Sequence, residues 1–140
     1  MFFGTTAWFT TFMDMLNTDS DYAKAAVKYE GTLTIVAEIK GLPRPICIWC
    51  DPYHGKIRDW TFINDPSDRP ADYILTAGYD VWKAVCQGRQ DVMKGIMAGR
   101  IKVKGKMMQL LKQTRPALAL VKVMLKVPTE FPDDAFYRGN

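Results

Sequence analysis

Residues 78–112 read GYDVWKAVCQGRQDVMKGIMAGRIKVKGKMMQLLK, and glycines divide this stretch into segments with different hydrophobic periods. Asp80 can cap a short helix that ends before Gly88, where a residue with positive φ would close it. Asp91 can cap a second short helix, and Gly99 would end that one. The stretch therefore predicts two short helices in succession.

The hydrophobic period changes after the second predicted helix. Arg100, Lys102 and Lys104 alternate with Ile101 and Val103, so that one face is apolar and the other is cationic. This alternation predicts a short, half-buried strand. The next glycine ends the strand, and the helical period then returns.

A long helix is predicted from Lys106 onward, with a proline inside it. Pro116 has no backbone N–H, so the helix either kinks there or restarts with Thr114 as its cap. Its apolar line is expected to contain Met107, Leu111, Thr114, Leu118, Val121 and Leu125.

The chain before this stretch predicts two helices followed by four strands. Thr5 or Thr6 can cap the first helix, and Asp19 or Ser20 can cap the second. The strands are expected at residues 32–40, 45–51, 56–64 and 71–77, before the one at 100–104. Since the first four are joined by short turns with no helical crossover, the prediction is an α+β fold. Its five-stranded, mainly antiparallel sheet would be covered by helices on one face.

The length of 140 residues predicts one domain over residues 1–140. The apolar start of the chain lacks the basic region of a signal peptide, and no segment is free of charge over the ~20 residues that span a bilayer. The last four residues do not form a peroxisomal address. We therefore expect a cytoplasmic protein.

Charge is distributed unevenly along the chain. Residues 83–126 hold 11 of the 19 basic residues and one of the 15 acidic residues. Such asymmetry suggests attraction of an anionic surface or head group, and the alternative is a set of solvated helix faces. Nucleic acid is not among the expected partners.

The glycine-punctuated stretch resembles the C-terminal half of the sterol carrier protein type 2 (SCP-2) domain. The resemblance is carried by residues 79–82, Gly88, Asp91 and residues 99–105. Residues 8–17, 22–32 and 129–134 look like the flanks of stand-alone prokaryotic members. The resemblance implies a non-enzymatic carrier without a cofactor, which holds a sterol, fatty acid or fatty acyl-CoA in a hydrophobic tunnel between the sheet and the C-terminal helix.

The resemblance also points to residues that would line the tunnel, on the last helix and the elements beneath it. They are Trp82, Ile96, Met97, Ile101, Val103, Met107, Met108, Leu111, Leu118, Val121 and Met124. Methionine suits such a role because its flexible side chain adapts to irregular partners, although core packing would use the same residues.

A second set of residues is predicted to contact anionic head groups of a membrane during ligand delivery. The candidates are Arg100, Lys102, Lys104, Lys122 and Lys126. They would have to share one face. The alternative is that the strand lysines keep an edge strand soluble.

Two other functional classes remain open. The apolar groove could bind a partner helix, which would make the domain an interaction module or a homodimer. Cys47, Cys50 and the nearby His54 could instead form a redox couple or part of a zinc site. Positions 47 and 50 of a strand point to opposite faces, however, so their sulfurs are not expected to converge. No catalytic or metal-binding residue is predicted.

Overall fold

The computed structural model describes residues 1–133 and 136–137, so the last residue of the C-terminal flank quoted above, Asp134, lies outside the described residues. The helices are α1 (Thr6–Thr18), α2 (Ser20–Ala25), α3 (Tyr79–Cys86), α4 (Val92–Met97), α5 (Met107–Leu111) and α6 (Thr114–Met124). The strands are β1 (Leu33–Glu38), β2 (Ile46–Tyr53), β3 (Lys56–Ile63), β4 (Tyr73–Gly78) and β5 (Lys102–Gly105).

The five strands form one mixed sheet in the order β3-β2-β1-β4-β5. Three of the four pairings are antiparallel, whereas β1 and β4 run parallel. The predicted α+β fold with a mainly antiparallel sheet is therefore confirmed. The parallel pair arises because the chain passes from β3 back across the sheet and places β4 beside β1.

The two faces of the sheet have different covers. Ile35 and Leu75 lie on the face that packs against the helices, which we call the front face. Val36 points the opposite way, since side chains alternate along a strand. On this back face the Arg69 guanidinium lies 3.6 Å from the centroid of the Trp49 ring. The helices thus cover one face, as predicted.

A tight hairpin joins β2 to β3. His54 and Gly55 have φ values of 50° and 84°, as the two central residues of a type I′ turn require. The turn also packs closely on α2, because a Cβ added to Gly55 would lie 2.7 Å from the backbone oxygen of Ala23. Glycine is therefore needed at this position for both its backbone angle and its size.

The predicted helix signals around residues 78–105 are largely confirmed. The Asp91 carboxylate accepts a hydrogen bond from the backbone N–H of Lys94 and caps α4. Gly88 and Gly99 follow the two short helices with φ values of 74° and 78°. The prediction for Asp80 is wrong, because the N-cap of α3 is Gly78 and Asp80 lies in the first turn. A carboxylate there still interacts favourably with the helix dipole.

The predicted long C-terminal helix is two helices, α5 and α6. The second begins at Thr114 with Gln113 as its N-cap, which makes no side-chain capping bond. Pro116 is the third residue of α6, where a backbone N–H has no partner within the helix. The restart at the proline is confirmed, and the cap lies one residue before the one predicted. None of the helices within residues 1–133 and 136–137 has the length and hydrophobicity needed to cross a membrane.

Candidate functional site: an apolar cavity beneath the last helix

A cavity of about 130 Å³ lies between the front face of the sheet and α6. Nearly every side chain around it is apolar. The sheet and its flanking segments contribute Tyr29, Leu33, Ile35, Pro52 and Leu75, and the helices α2 to α5 contribute Tyr22, Trp82, Val85, Val92, Met93, Ile96 and Leu110. From α6 and its N-cap come Gln113, Pro116, Ala117, Leu120, Val121 and Met124.

The face of α6 that lines the cavity follows from the helical repeat. Ala117, Leu120, Val121 and Met124 recur at intervals of three and four residues and therefore lie on one side of the helix. Below them, the Trp82 indole N–H donates a hydrogen bond to the backbone oxygen of Val36 at 2.9 Å. This buried bond fixes α3 to the sheet, so the Trp82 ring forms a stationary wall.

A second, smaller cavity of about 80 Å³ lies between α1 and the same sheet face. Ile35, Trp82 and Met124 line both cavities and thus separate them. Trp82 is held by its hydrogen bond, whereas Met124 is only partly buried and contacts the Cys86 sulfur at 3.0 Å. Because a methionine side chain has three rotatable bonds, Met124 is the adaptable part of this partition.

The polar groups of the larger cavity are few and uncharged. Tyr22, Tyr29 and the half-buried Gln113 line it, and no Asp, Glu, Lys, Arg or His is among the described lining residues. The cavity therefore suits a ligand that is mostly hydrocarbon and carries little or no charge where it is buried.

The structure brings together four of the eleven residues that were predicted to line a tunnel. Trp82, Ile96, Val121 and Met124 line the cavity. The other seven do not: Ile101 is buried beneath Gly95 of α4, Val103 and Leu111 pack at the edge of the core, and Met97, Met107, Met108 and Leu118 are exposed.

Leu118 shows why the wrong side of the last helix was predicted to face the cavity. It lies on α6 between Arg115 and Lys122, three residues after the first and four before the second, and it is 48% exposed. The predicted line continued the spacing of Met107 and Leu111 past Pro116, whereas α6 is a separate helix that begins at Thr114. The spacing of the two basic residues could have shown that Leu118 shares their solvent-facing side.

Sequence reasoning also missed several lining residues. Tyr22, Tyr29 and the small Ala117 line the cavity but were not among the residues predicted to do so. The segments around Leu120 and Met93 are apolar on most sides, so the hydrophobic period did not show which of their residues face the cavity. A cavity forms where side chains on facing elements do not touch each other, and the hydrophobic period of a sequence does not reveal where that happens.

Comparison with known proteins identifies the family of the chain. The model of the SCP-2 sterol transfer family matches residues 12–116. The chain belongs to this family. A search of curated proteins gave no significant match.

Solved structures place the fold among SCP-2 proteins. A conserved hypothetical protein from Thermus thermophilus, possibly a sterol carrier protein, is 28% identical with a TM-score of 0.81, over 90% of each chain. A sterol carrier protein 2 is also 28% identical, with a TM-score of 0.77 over 88% of this chain and 97% of the other. The apo form of sterol carrier protein 2 from Yarrowia lipolytica, at 20% identity and a TM-score of 0.59, shares the fold over 84% of this chain and 89% of its own. Family and fold together support a role in lipid binding or transfer.

Three of the five basic residues predicted to meet a membrane lie at β5 of this SCP-2 domain. Arg100, Lys102 and Lys104 are exposed. Val103 pairs with Leu75, a front-face residue, so the flanking Lys102 and Lys104 project from the back face. These two lysines therefore point away from α6.

The other two basic residues belong to the helical side of the SCP-2 domain. Lys122 is exposed on α6, and Lys126 lies just beyond its end with Nζ 3.8 Å from a carboxylate oxygen of Asp19. Since α6 covers the front face, Lys122 does not share a face with Lys102 and Lys104. The five residues therefore do not lie on one face, as contact with a flat membrane would require.

The cysteines of this SCP-2 domain do not form a thiol pair. Cys50 pairs with the front-face residue Leu33 and Cys47 with the back-face residue Val36, so their sulfurs lie on opposite sides of the sheet. Burial, with help from Asp51, raises the pKa of Cys50 to about 12. All three cysteines are free and buried, and no group of three or more His, Cys, Asp or Glu side chains among the described residues could hold a metal ion. This geometry gives no support to a redox couple or a zinc site.

We expect all three thiols to be unreactive in the folded protein. The thiolate is the reacting species, and burial raises the pKa of Cys47 to about 11 and those of Cys50 and Cys86 to about 12. At about pH 8 such thiols are ionised roughly a hundredfold to a thousandfold less than one in an unfolded chain. Titration with a disulfide reagent should therefore detect three thiols in urea and almost none without it. A native thiol that reacts within seconds would contradict this description of the site.

Proposed function

We propose that this SCP-2 family member is a non-enzymatic carrier of a lipid whose hydrocarbon chain lies in the cavity between α6 and the sheet. The observation that supports the proposal is the cavity itself, which is apolar and uncharged and lies between the sheet and the helices. Its described lining contains no histidine, cysteine or carboxylate that could act as an acid, a base or a nucleophile. Lipid binding would be driven by the burial of hydrocarbon, at about 0.8 kcal/mol for each methylene group.

The volume of the cavity limits what it holds without rearrangement. An engineered cavity of about 150 Å³ binds benzene, so 130 Å³ corresponds to a ligand of roughly six carbons. Micromolar affinity needs about 8 kcal/mol, or roughly ten buried methylenes before any cost of association. A carrier with useful affinity must therefore enlarge the cavity. We propose that Met124 moves and lets an acyl chain enter the second cavity as well.

Titration with a fluorescent polyene fatty acyl methyl ester tests the proposal. We expect saturable binding with a stoichiometry of one, and displacement by unlabelled lipid. Absence of saturable binding, together with a concentration-dependent dimer in sedimentation, would instead favour the alternative of an interaction module. Contact with anionic membranes stays a prediction, and β5 is then its strongest candidate, because Arg100, Lys102 and Lys104 are exposed there.

Met124→Ala should shift the preferred ligand toward longer chains. Removing the side chain joins the two cavities, and each further methylene that becomes buried should tighten binding about fourfold. The measurement is the dissociation constant for a series of unlabelled alcohols of increasing length. Leu125→Ala is the matched control, since Leu125 follows directly and is 47% exposed. An identical chain-length profile in wild type and Met124→Ala would show that Met124 does not divide the site.

A further inference from the structure

The solvent-facing side of α6 combines leucine with basic residues. Leu118 and the C-cap Leu125 are 48% and 47% exposed, and Arg115, Lys122 and Lys126 are exposed as well. These residues follow one another at intervals of three or four, so they lie on one side of the helix, within a sector of about 100°. The residues of α6 that line the cavity lie on the opposite side. We call the solvent-facing side the outer face of α6.

The outer face is cationic, and the protein neutralises little of this charge. Arg115 and Lys122 form no ion pair with any residue within 1–133 and 136–137, whereas Lys126 has the contact with Asp19 given above. No acidic residue occurs in the sequence from position 92 to position 129. The outer face therefore attracts an anionic partner.

The leucines indicate what kind of anionic partner fits. A helix that lies in the interface of an anionic membrane has leucine among the acyl chains and Lys or Arg beside the phosphates. A second copy of this chain fits less well, because a twofold contact would bring the same basic residues together. The outer face therefore matches a bilayer better than it matches itself.

Two other surfaces lack this combination. On exposed charge alone β5 is the stronger candidate for membrane contact, but Val103, between Lys102 and Lys104, points to the other face of the sheet. The lysines of β5 thus offer charge without an apolar side chain between them. On α1 the exposed residues include Asp14, and this helix has no basic residue. Charge and leucine occur together on α6.

The same helix covers the cavity, and it is weakly held there. Of its eleven residues only Val123 is buried. Its cavity-lining residues are only partly buried, because they border a space instead of close-packed neighbours. Segments with few buried contacts separate from a fold at a low free energy. Insertion of Leu118 into a bilayer would therefore compete with the few contacts that hold α6 over the cavity.

We infer that the outer face of α6 docks on an anionic lipid bilayer and that the ligand is exchanged beneath the same helix. The leucines enter the acyl region, and the basic residues contact lipid phosphates. The exchange step rests on the proposed carrier function and adds its partner and its point of ligand entry. Docking by itself does not require that function.

Co-sedimentation of ligand-free protein with vesicles tests the docking. The vesicles contain either phosphatidylcholine alone or equal parts of phosphatidylcholine and phosphatidylglycerol. The variants are Arg115→Gln with Lys122→Gln, Leu118→Gln, and, for a matched loss of charge on β5, Lys102→Gln with Lys104→Gln. All of these positions are exposed, so the variants should fold like wild type.

We expect wild type to bind the mixed vesicles at least about tenfold more tightly than phosphatidylcholine alone, with the difference reduced at high salt. The α6 double variant should bind them about 10- to 30-fold more weakly, since each basic residue contributes about fivefold. Leu118→Gln should cost about 3- to 10-fold, and the β5 double variant less than about threefold. Affinity for the fluorescent acyl ester without vesicles should stay within about twofold of wild type in every variant.

Equal binding to both kinds of vesicle, no binding to either, or a larger loss in the β5 variant would overturn the inference. A concentration-dependent dimer that Leu118→Gln abolishes would also overturn it, because the face would then belong to a second copy. Transfer of the fluorescent acyl ester to mixed vesicles should slow in the α6 double variant in step with its weaker docking, and an unchanged rate would overturn the exchange step. Wild type that docks but binds no ester would instead contradict the carrier function.

Discussion

Replacing Ala117 by Trp should abolish lipid binding. Ala117 lies on the cavity side of α6, and an indole ring in its place would occupy the space beside Leu120 and Met124. Displacing about four methylenes of a bound chain corresponds to a loss of affinity of about 100-fold or more. Titration with the fluorescent acyl ester measures the effect, and circular dichroism shows whether the fold is retained.

The control for this experiment is the adjacent position. Leu118 is 48% exposed and faces solvent beside Arg115 and Lys122, so Leu118→Trp should leave the dissociation constant within about twofold of wild type. The two variants add a tryptophan one residue apart on the same helix. Equal loss of binding in both, or loss only in Leu118→Trp, would place the ligand somewhere other than this cavity.

A large loss of stability is expected for Gly55→Ala. The residue has a φ of 84°, which costs an alanine roughly 1–2 kcal/mol, and the new Cβ would lie 2.7 Å from the backbone oxygen of Ala23. Backbone cannot move aside as a flexible side chain can, and such overpacking costs about 1–3 kcal/mol more. We expect the free energy of unfolding in urea to fall by about 2–5 kcal/mol in total.

Gly99→Ala separates the two causes of that loss. Gly99 has a similar φ of 78°, yet a Cβ there would meet no atom within 4 Å. We therefore expect Gly99→Ala to lower the free energy of unfolding only by the backbone contribution, about 1–2 kcal/mol. Should both variants lose the same free energy, the close packing of the hairpin on α2 would contribute nothing to stability.

Local signals in the sequence were enough to predict most elements of the fold. Asp91 caps α4 through a contact three residues away, and Gly88 and Gly99 adopt the positive φ that their positions after helices indicated. Each of these features depends only on near neighbours in the chain. The parallel pairing of β1 with β4 was not predicted, because it joins segments about 40 residues apart that have no short turn between them.

The candidate site was less predictable than the fold. Val121 and Met124, two of the residues predicted to contact a ligand, line the cavity, and Ala117 and Leu120 line it without having been predicted. The reason is that eight of the eleven residues of α6 are apolar, and the predicted line did not use Arg115 and Lys122, which mark the solvent-facing side. In addition, α6 is a separate helix from α5, so a line of residues that starts at Met107 and Leu111 does not continue along it.

The most direct test of the carrier site is NMR of protein labelled with carbon-13 in its methionine methyl groups, titrated with 1-dodecanol. Met93 and Met124 line the cavity, whereas Met97 and Met108 are 69% and 72% exposed. We predict saturable shift changes for the methyl groups of Met93 and Met124, with those of Met97 and Met108 unchanged. Shifts confined to Met97 and Met108 would show that lipid contacts the surface and would contradict a site beneath α6.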